Sequence, residues 1–228
     1  MTFRFKKRIN VSLIAIVLFA IFLRCLIPLY LAEKKDSYRE HMLCSSFATD
    51  FMAISIALAK GEGLHTDYWS YAADFKDSRT PKLDNIPREN TGRDFYFDKG
   101  GAGHYLIGGA LTWLTDSFDI VLIQMFQGVI DSLGCLFVFG IICYFFDKRI
   151  GLLGAIVYAV YPAFIFYSYH FMSEAFIPVL MLAVGYTFIL ALDSEKWFYF
   201  CAAGFLIGLS FSFRFDNFLI LPCYIFYL

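Results

Sequence analysis

Hydrophobic positions in this chain fall into long runs separated by short polar seams. Val11–Leu31 is 21 residues interrupted only by Arg24, and Ile120–Phe146 is 27 residues with Asp131 inside it. Ile150–Ser168 and Ala175–Leu192, 19 and 18 residues, are joined by the seam YHFMSE, which carries His170, Ser173 and Glu174. Trp197–Phe213 follows a DSEK turn, then comes RFDN with Arg214 and Asp216, and Phe218 opens a last run of 11 residues to Leu228. A helix needs ~20 apolar residues to cross a ~30 Å hydrocarbon core. The pattern therefore predicts an all-α integral-membrane protein, a multi-pass helical bundle of about five full spans plus a cut sixth. Eleven residues of helix cover roughly 16 Å, half a bilayer, so the chain reads as the N-terminal half of a longer protein.

The one extensive polar region follows the first span. Residues 33–117 read as a large external loop of a single membrane module, residues 1–228, carrying two interfacial helices. Phe47, Phe51, Ile54 and Leu58 recur at i, i+4, i+7 and i+11, one face of a helix. Gly61 and Gly63 end it, and Asp50 is placed in its first turn, where a carboxylate suits the helix dipole. The stretch from His65 to Phe97 alternates charges with turn formers and reads as loop. After the glycines of DKGGAG, Tyr105–Leu114 is too short to span and is expected to lie in the interface.

Composition sharpens the class. The chain is 59% hydrophobic and 20% aromatic, with mean hydropathy +0.61, well beyond the ~45–50% apolar content of soluble domains. A formal net charge of −1 gives no basic field for nucleic acid. Six cysteines without CxxC spacing or a Cys/His cluster support neither a disulfide framework nor a zinc site. MTFRFKKR, with four basic residues and no acid, places the N-terminus in the cytoplasm as an uncleaved first span in the plasma membrane. Counting spans from there puts the long loop, YHFMSE and RFDN outside. Asp50, Lys99, His104, Glu174, Arg214 and Asp216 then share one external surface. Arg24 and Asp131 lie within spans, about two turns and one turn from the outer face. Each would cost ~2.5–3.5 kcal/mol unpaired at a helix centre, so they are expected to pair as structure.

Five stretches in order carry a family resemblance. TDFMAISIALAKGEGL is an Asp leading an amphipathic helix that ends in G-x-G. DKGGAGHYLIGGALTWL has glycines where a K-P-P motif is usual, and CYFFDKRIG closes a span. YAVYPAFIFYSYHFMSEAF and GLSFSFRFDNFLILP complete the set. The chain resembles the N-terminal half of GT-C type integral-membrane glycosyltransferases, the bacterial dolichyl-phosphate-mannose–protein mannosyltransferase-like and aminoarabinose-transferase-like enzymes. The likeness runs over nearly the whole chain. It implies inverting transfer of a sugar from a polyprenyl-phosphate donor to a hydroxyl acceptor at the outer face of the bilayer. It implies Asp50 as the catalytic base, and Lys99, Arg214, Glu174 and His104 as substrate- and phosphate-binding residues. No metal ligand set is required, although Asp50, Glu174 and Asp216 are candidates for a divalent cation.

Each role has a plainer rival. For Asp50 it is a helix cap, for Glu174 a solvated turn residue or a structural partner of the external loop, and for Lys99 an ordinary loop lysine. Arg214 serves as a span-end anchor reaching to headgroups, and His104 and His170 as structural polar residues. Rival functions are a transporter or flippase component, with Arg24 and Asp131 lining a pathway, and an inactive truncated membrane protein. Against transport, the spans are read as lacking broken-helix pairs and internal repeats.

Overall fold

The structure, a computed structural model, describes residues 11–33, 46–61, 63, 102–170 and 173–214, with backbone alone at 31–33, 46–50, 52–53 and 169. Among the described residues every regular element is helical: α1 (Val11–Glu33), α2 (Ser46–Ala59), α3 (Ala102–Thr115), α4 (Ile120–Ser132), α5 (Gly134–Phe145), α6 (Lys148–Val160), α7 (Pro162–Tyr169), a 3₁₀ turn (Ser173–Ala175), α8 (Ile177–Ser194) and α9 (Trp197–Phe213). Three stretches are long and apolar enough to cross a membrane: Val11–Tyr30, Ile120–Phe145 and Ser173–Ser194. α6 and α7 make a fourth if the pair counts as one span. α9, at 17 residues, is apolar but shorter. The expected sixth span, 218–228, lies outside the described residues.

Local chemistry sets the boundaries. Asp119 caps α4, its Oδ1 accepting from the Val121 and Leu122 amides at 2.9 and 3.2 Å. Asp147 caps α6 in the same way, accepting from Arg149 and Ile150 at 2.7 and 2.9 Å. These carboxylates satisfy amides that the first helical turn leaves open. Glu195, at φ 54°, closes α8 in the left-handed conformation. Gly61, at φ +78°, ends α2 as the sequence pattern requires.

Two expectations need correction. α2 begins at Ser46, so Asp50 stands beyond its first turn and the cap role does not apply to it. The spans are also not all continuous. α4 passes into α5 through Leu133, which stays near helical geometry (φ −64°, ψ −20°). α6 breaks at Tyr161–Pro162, and α7 leaves at 50° to it. Proline has no amide hydrogen and its ring clashes with the preceding turn, so apolar length alone did not foretell the bend.

α1 packs on α4 and α6, α5 on α6 and α8, and α8 on α9. Ala20, Cys135, Phe139, Cys143, Ala155, Tyr158 and Ala159 form the main core between α1, α5 and α6. α2 and α3 make a separate pair that docks through α3 on the end of α9. Their glycines permit it. A Cβ at Gly108 would strike Ser55 Oγ and the Phe51 ring, and one at Gly109 would come within 2.8 Å of Leu58 Cβ. Contacts that advance together along both chains make α2 and α3 parallel neighbours, as the long connection between them allows.

Candidate active site and the buried network beneath it

α3, the 3₁₀ turn and the last turn of α9 meet at one end of the bundle through a chain of aromatic rings. Phe51 of α2 stacks on His104 with centroids 4.2 Å apart; His104 lies 5.7 Å from Phe176, and Phe176 lies 5.0 Å from Phe213. The residues adjoining those rings include the expected site residues. Asp50 precedes Phe51, Glu174 stands two before Phe176, and Arg214 follows Phe213. The structure brings Glu174 and Arg214 into direct contact, and Asp50 is the sequence neighbour of the ring that stacks on His104. The side chain of Asp50, and Lys99 and Asp216, lie outside the described residues.

Glu174 and Arg214 form an ion pair. Arg214 Nη1 donates to Glu174 Oε1 at 2.9 Å, and Ser173 Oγ donates to Glu174 Oε2 at 3.4 Å. The two side chains are 47% and 33% exposed, so water reaches both and the pair itself adds little stability. Its effect is geometric. It holds a guanidinium at the mouth of the bundle, forty residues of sequence from its carboxylate.

His104 is different from what a phosphate ligand would be. It is 2% exposed. Gln127 Nε2 donates to His104 Nε2 at 3.2 Å, which puts the imidazole proton on Nδ1. Nδ1 has no partner among the described residues, nor has Ser55 Oγ. Burial pushes the His104 pKa down to about 3, so the ring is neutral at physiological pH and brings no positive charge to a phosphate. His170, the other seam candidate, folds back on α7. Its Nδ1 donates to the Phe166 carbonyl at 3.0 Å and its ring stacks on Phe166.

Below this end lies a polar network at mid-span. Arg24 Nε donates to Asp131 Oδ2 at 2.6 Å, and the two side chains are 0% and 1% exposed. Tyr158 donates its hydroxyl to Asp131 Oδ1 at 2.8 Å. Arg24 also donates to the Ala159 carbonyl at 2.8 Å and the Tyr158 carbonyl at 3.3 Å. The expected pairing is present. Asp131 sits about three turns below the start of α4 rather than one. Gly128 and Gly134, one turn either side of Asp131, clear the space. A Cβ on Gly128 would lie 2.9 Å from Arg24 Cβ, and one on Gly134 would collide with the Tyr158 ring and hydroxyl.

Gln127 and Tyr158 were missed by sequence reasoning. Both sit inside apolar runs, where periodicity does not say which face meets which helix. The readable signal was G-x-x-D-x-x-G at 128–134, a carboxylate flanked at helical spacing by the smallest residue. Among the described residues no group of three or more His, Cys, Asp or Glu could hold a metal ion.

Comparison with known proteins adds a family. Residues 102–228, more than half of the chain, match the profile of the family described as dolichyl-phosphate-mannose-protein mannosyltransferase. The matched segment runs from α3 through Arg214 and includes His104, Glu174 and Arg214; Asp50 and Lys99 precede it. No curated protein matches, and no solved structure matches.

Proposed function

Because the chain belongs to the dolichyl-phosphate-mannose-protein mannosyltransferase family, we propose that it transfers a sugar from a polyprenyl-phosphate donor to a hydroxyl acceptor, at the membrane face that carries α2 and α3. The observation that carries this reading is the Glu174–Arg214 pair within the matched segment. It holds a cation beside a bundle end that α2 and α3 cover.

The chemistry follows from the bonds involved. The acceptor oxygen attacks the anomeric carbon while the bond from that carbon to the phosphate oxygen breaks. The acceptor proton goes to Asp50, and the polyprenyl phosphate leaves with the bonding electrons. A phosphate leaving group is a weak base and needs no proton, but its charge needs a cation. Arg214 is that cation, with its fork suited to phosphate oxygens and its direction set by Glu174. Lys99 is a second. Direct displacement inverts the anomeric centre. The roles of Asp50 and Lys99 rest on the family resemblance of the loop. A divalent cation at the carboxylates would add charge at the same phosphate and is a separate question for titration with a chelator.

Membranes containing the protein, supplied with a radiolabelled polyprenyl-phosphate sugar, test this. Asp50→Asn is expected to slow transfer by ~10²–10⁴-fold. Transfer at the unchanged rate in Asp50→Asn removes Asp50 as base, and no transfer by the unaltered protein removes the proposal.

A transporter is the second reading, favoured by the 50° break in a span beside membrane-depth charges. Against it, Arg24 and Asp131 are closed off against each other and buried among the described residues. Uptake or efflux without transfer would reverse the preference.

A further inference from the structure

We infer that Arg24 is a positioning residue whose task is to cap the broken end of α6 inside the membrane. Through that cap it fixes the direction of α7, and with it Glu174. The last turn of any helix leaves four carbonyls without intrahelical donors, and within a bilayer no water replaces them. Here the break is made by Pro162. It cannot donate to the Tyr158 carbonyl, and Tyr161, at ψ 118°, leaves the helical path so that the ladder does not continue past it. The Tyr161 amide reaches the Tyr158 carbonyl only at 3.4 Å.

Arg24, on a different span, supplies the missing donors. Its Nη2 serves the Tyr158 carbonyl and its Nη1 the Ala159 carbonyl, while Nε holds Asp131 on the far side. The positive group also lies at the negative end of the α6 dipole, a favourable place for it. One planar fork thus joins three spans. The ion pair with Asp131 alone would need only a charge; the two carbonyls need the guanidinium geometry. Gly128 lets the Arg24 backbone approach closely enough for this. Beyond the break, α7 runs into the 3₁₀ turn that bears Glu174, which in turn orients Arg214. What that pair does chemically rests on the proposed transfer; the cap does not, and hydrogen exchange reads it in the absence of any activity.

The test is hydrogen exchange, followed by mass spectrometry, on the full chain in nanodiscs. Arg24→Lys keeps the charge for Asp131 but loses the fork. Amides of α7, residues 163–169, are expected to exchange about three- to tenfold faster, the loss of one interhelical hydrogen bond in a membrane. Pro162→Ala returns an amide donor to the Tyr158 carbonyl. In that background Arg24→Lys is expected to change α7 exchange no further. Tyr158→Phe, which removes a bond to Asp131 but keeps both carbonyl caps, should leave α7 as it was. Unchanged exchange in Arg24→Lys overturns the inference. So does an equal increase with and without Pro162, or an increase in Tyr158→Phe matching that in Arg24→Lys.

Discussion

Asp131 neutralises a cation that has no other charged partner among the described residues, and its loss is therefore unlike the loss of a surface carboxylate. Asp131→Leu leaves Arg24 charged at mid-span, a cost of ~2.5–3.5 kcal/mol on insertion scales. Tyr158→Phe removes one hydrogen bond from the same carboxylate, and such bonds average ~0.6 kcal/mol in membrane interiors. Unfolding titrations of the purified protein in mixed micelles should rank the two in that order and well apart; equal losses would mean that the pair is not charged. His104 gives a pH prediction. Its folded pKa, about 3, lies below the ordinary 6.5, so the unfolded state binds the proton first as pH falls. Stability is whole above pH 6.5 and declines between there and about pH 3, by at most ~1.4 kcal/mol per unit. His104→Phe, which keeps the ring stack on Phe51, should flatten the curve; an unchanged slope would place the titrating group elsewhere. At this scale the charged residues were legible in the sequence, because Arg24 and Asp131 interrupt otherwise apolar runs. Their neutral partners were not. Tyr158 is one of 15 tyrosines, and nothing in its sequence neighbours marks it as the one that reaches Asp131.

Glycines show how the elements are held at their distances. Gly108 faces Ser55 and Phe51 so closely that a Cβ has no room, whereas a Cβ on Gly204 of α9 would meet nothing within 4 Å among the described residues. Gly108→Val should force α2 off α3 and destabilise by ~1–3 kcal/mol, as overpacking does in other cores. It should also abolish transfer, because α2 bears Asp50. Gly204→Val should leave both unchanged. Thermal unfolding and the transfer assay, run on the two variants side by side, check this. A Gly108→Val protein as stable and active as the parent would mean that the α2–α3 contact does not position the site. Helix ends were well marked in the sequence: Asp147 before Lys148, and Gly61 after α2. α9 runs over Trp197–Phe213 as the hydrophobic pattern requires. The bend at Pro162 was hidden because an apolar run is read by its length. A proline in such a run either kinks the helix or sits at a boundary, and only the contacts of the neighbouring spans decide which.

For the whole molecule, the question is which side of the membrane the site faces. The spans alternate in direction, so the end bearing α2, α3, Glu174 and Arg214 is opposite the end bearing Asp147, Lys148, Arg149 and Lys196. The second end gathers short turns with basic residues, and it is also the end from which α1 starts, after four more basic residues. Short loops rich in Lys and Arg stay in the cytoplasm, whereas long polar regions such as residues 33–117 translocate largely regardless of their charge. Lys34, Lys35 and Arg39 therefore weigh less than Lys148, Arg149 and Lys196. Reporter fusions should read cytoplasmic after Lys148 and Glu195, and external at Thr80. The consequence is chemical as well as topological. A polyprenyl-phosphate donor has its headgroup on one leaflet, and Arg214 meets that phosphate only if the two share a face. A cytoplasmic reading at Thr80 would turn the bundle over and require a donor presented on the inner leaflet. In that case externally supplied donor would fail in sealed, right-side-out vesicles and succeed in inverted ones, the reverse of what the distribution of basic residues requires.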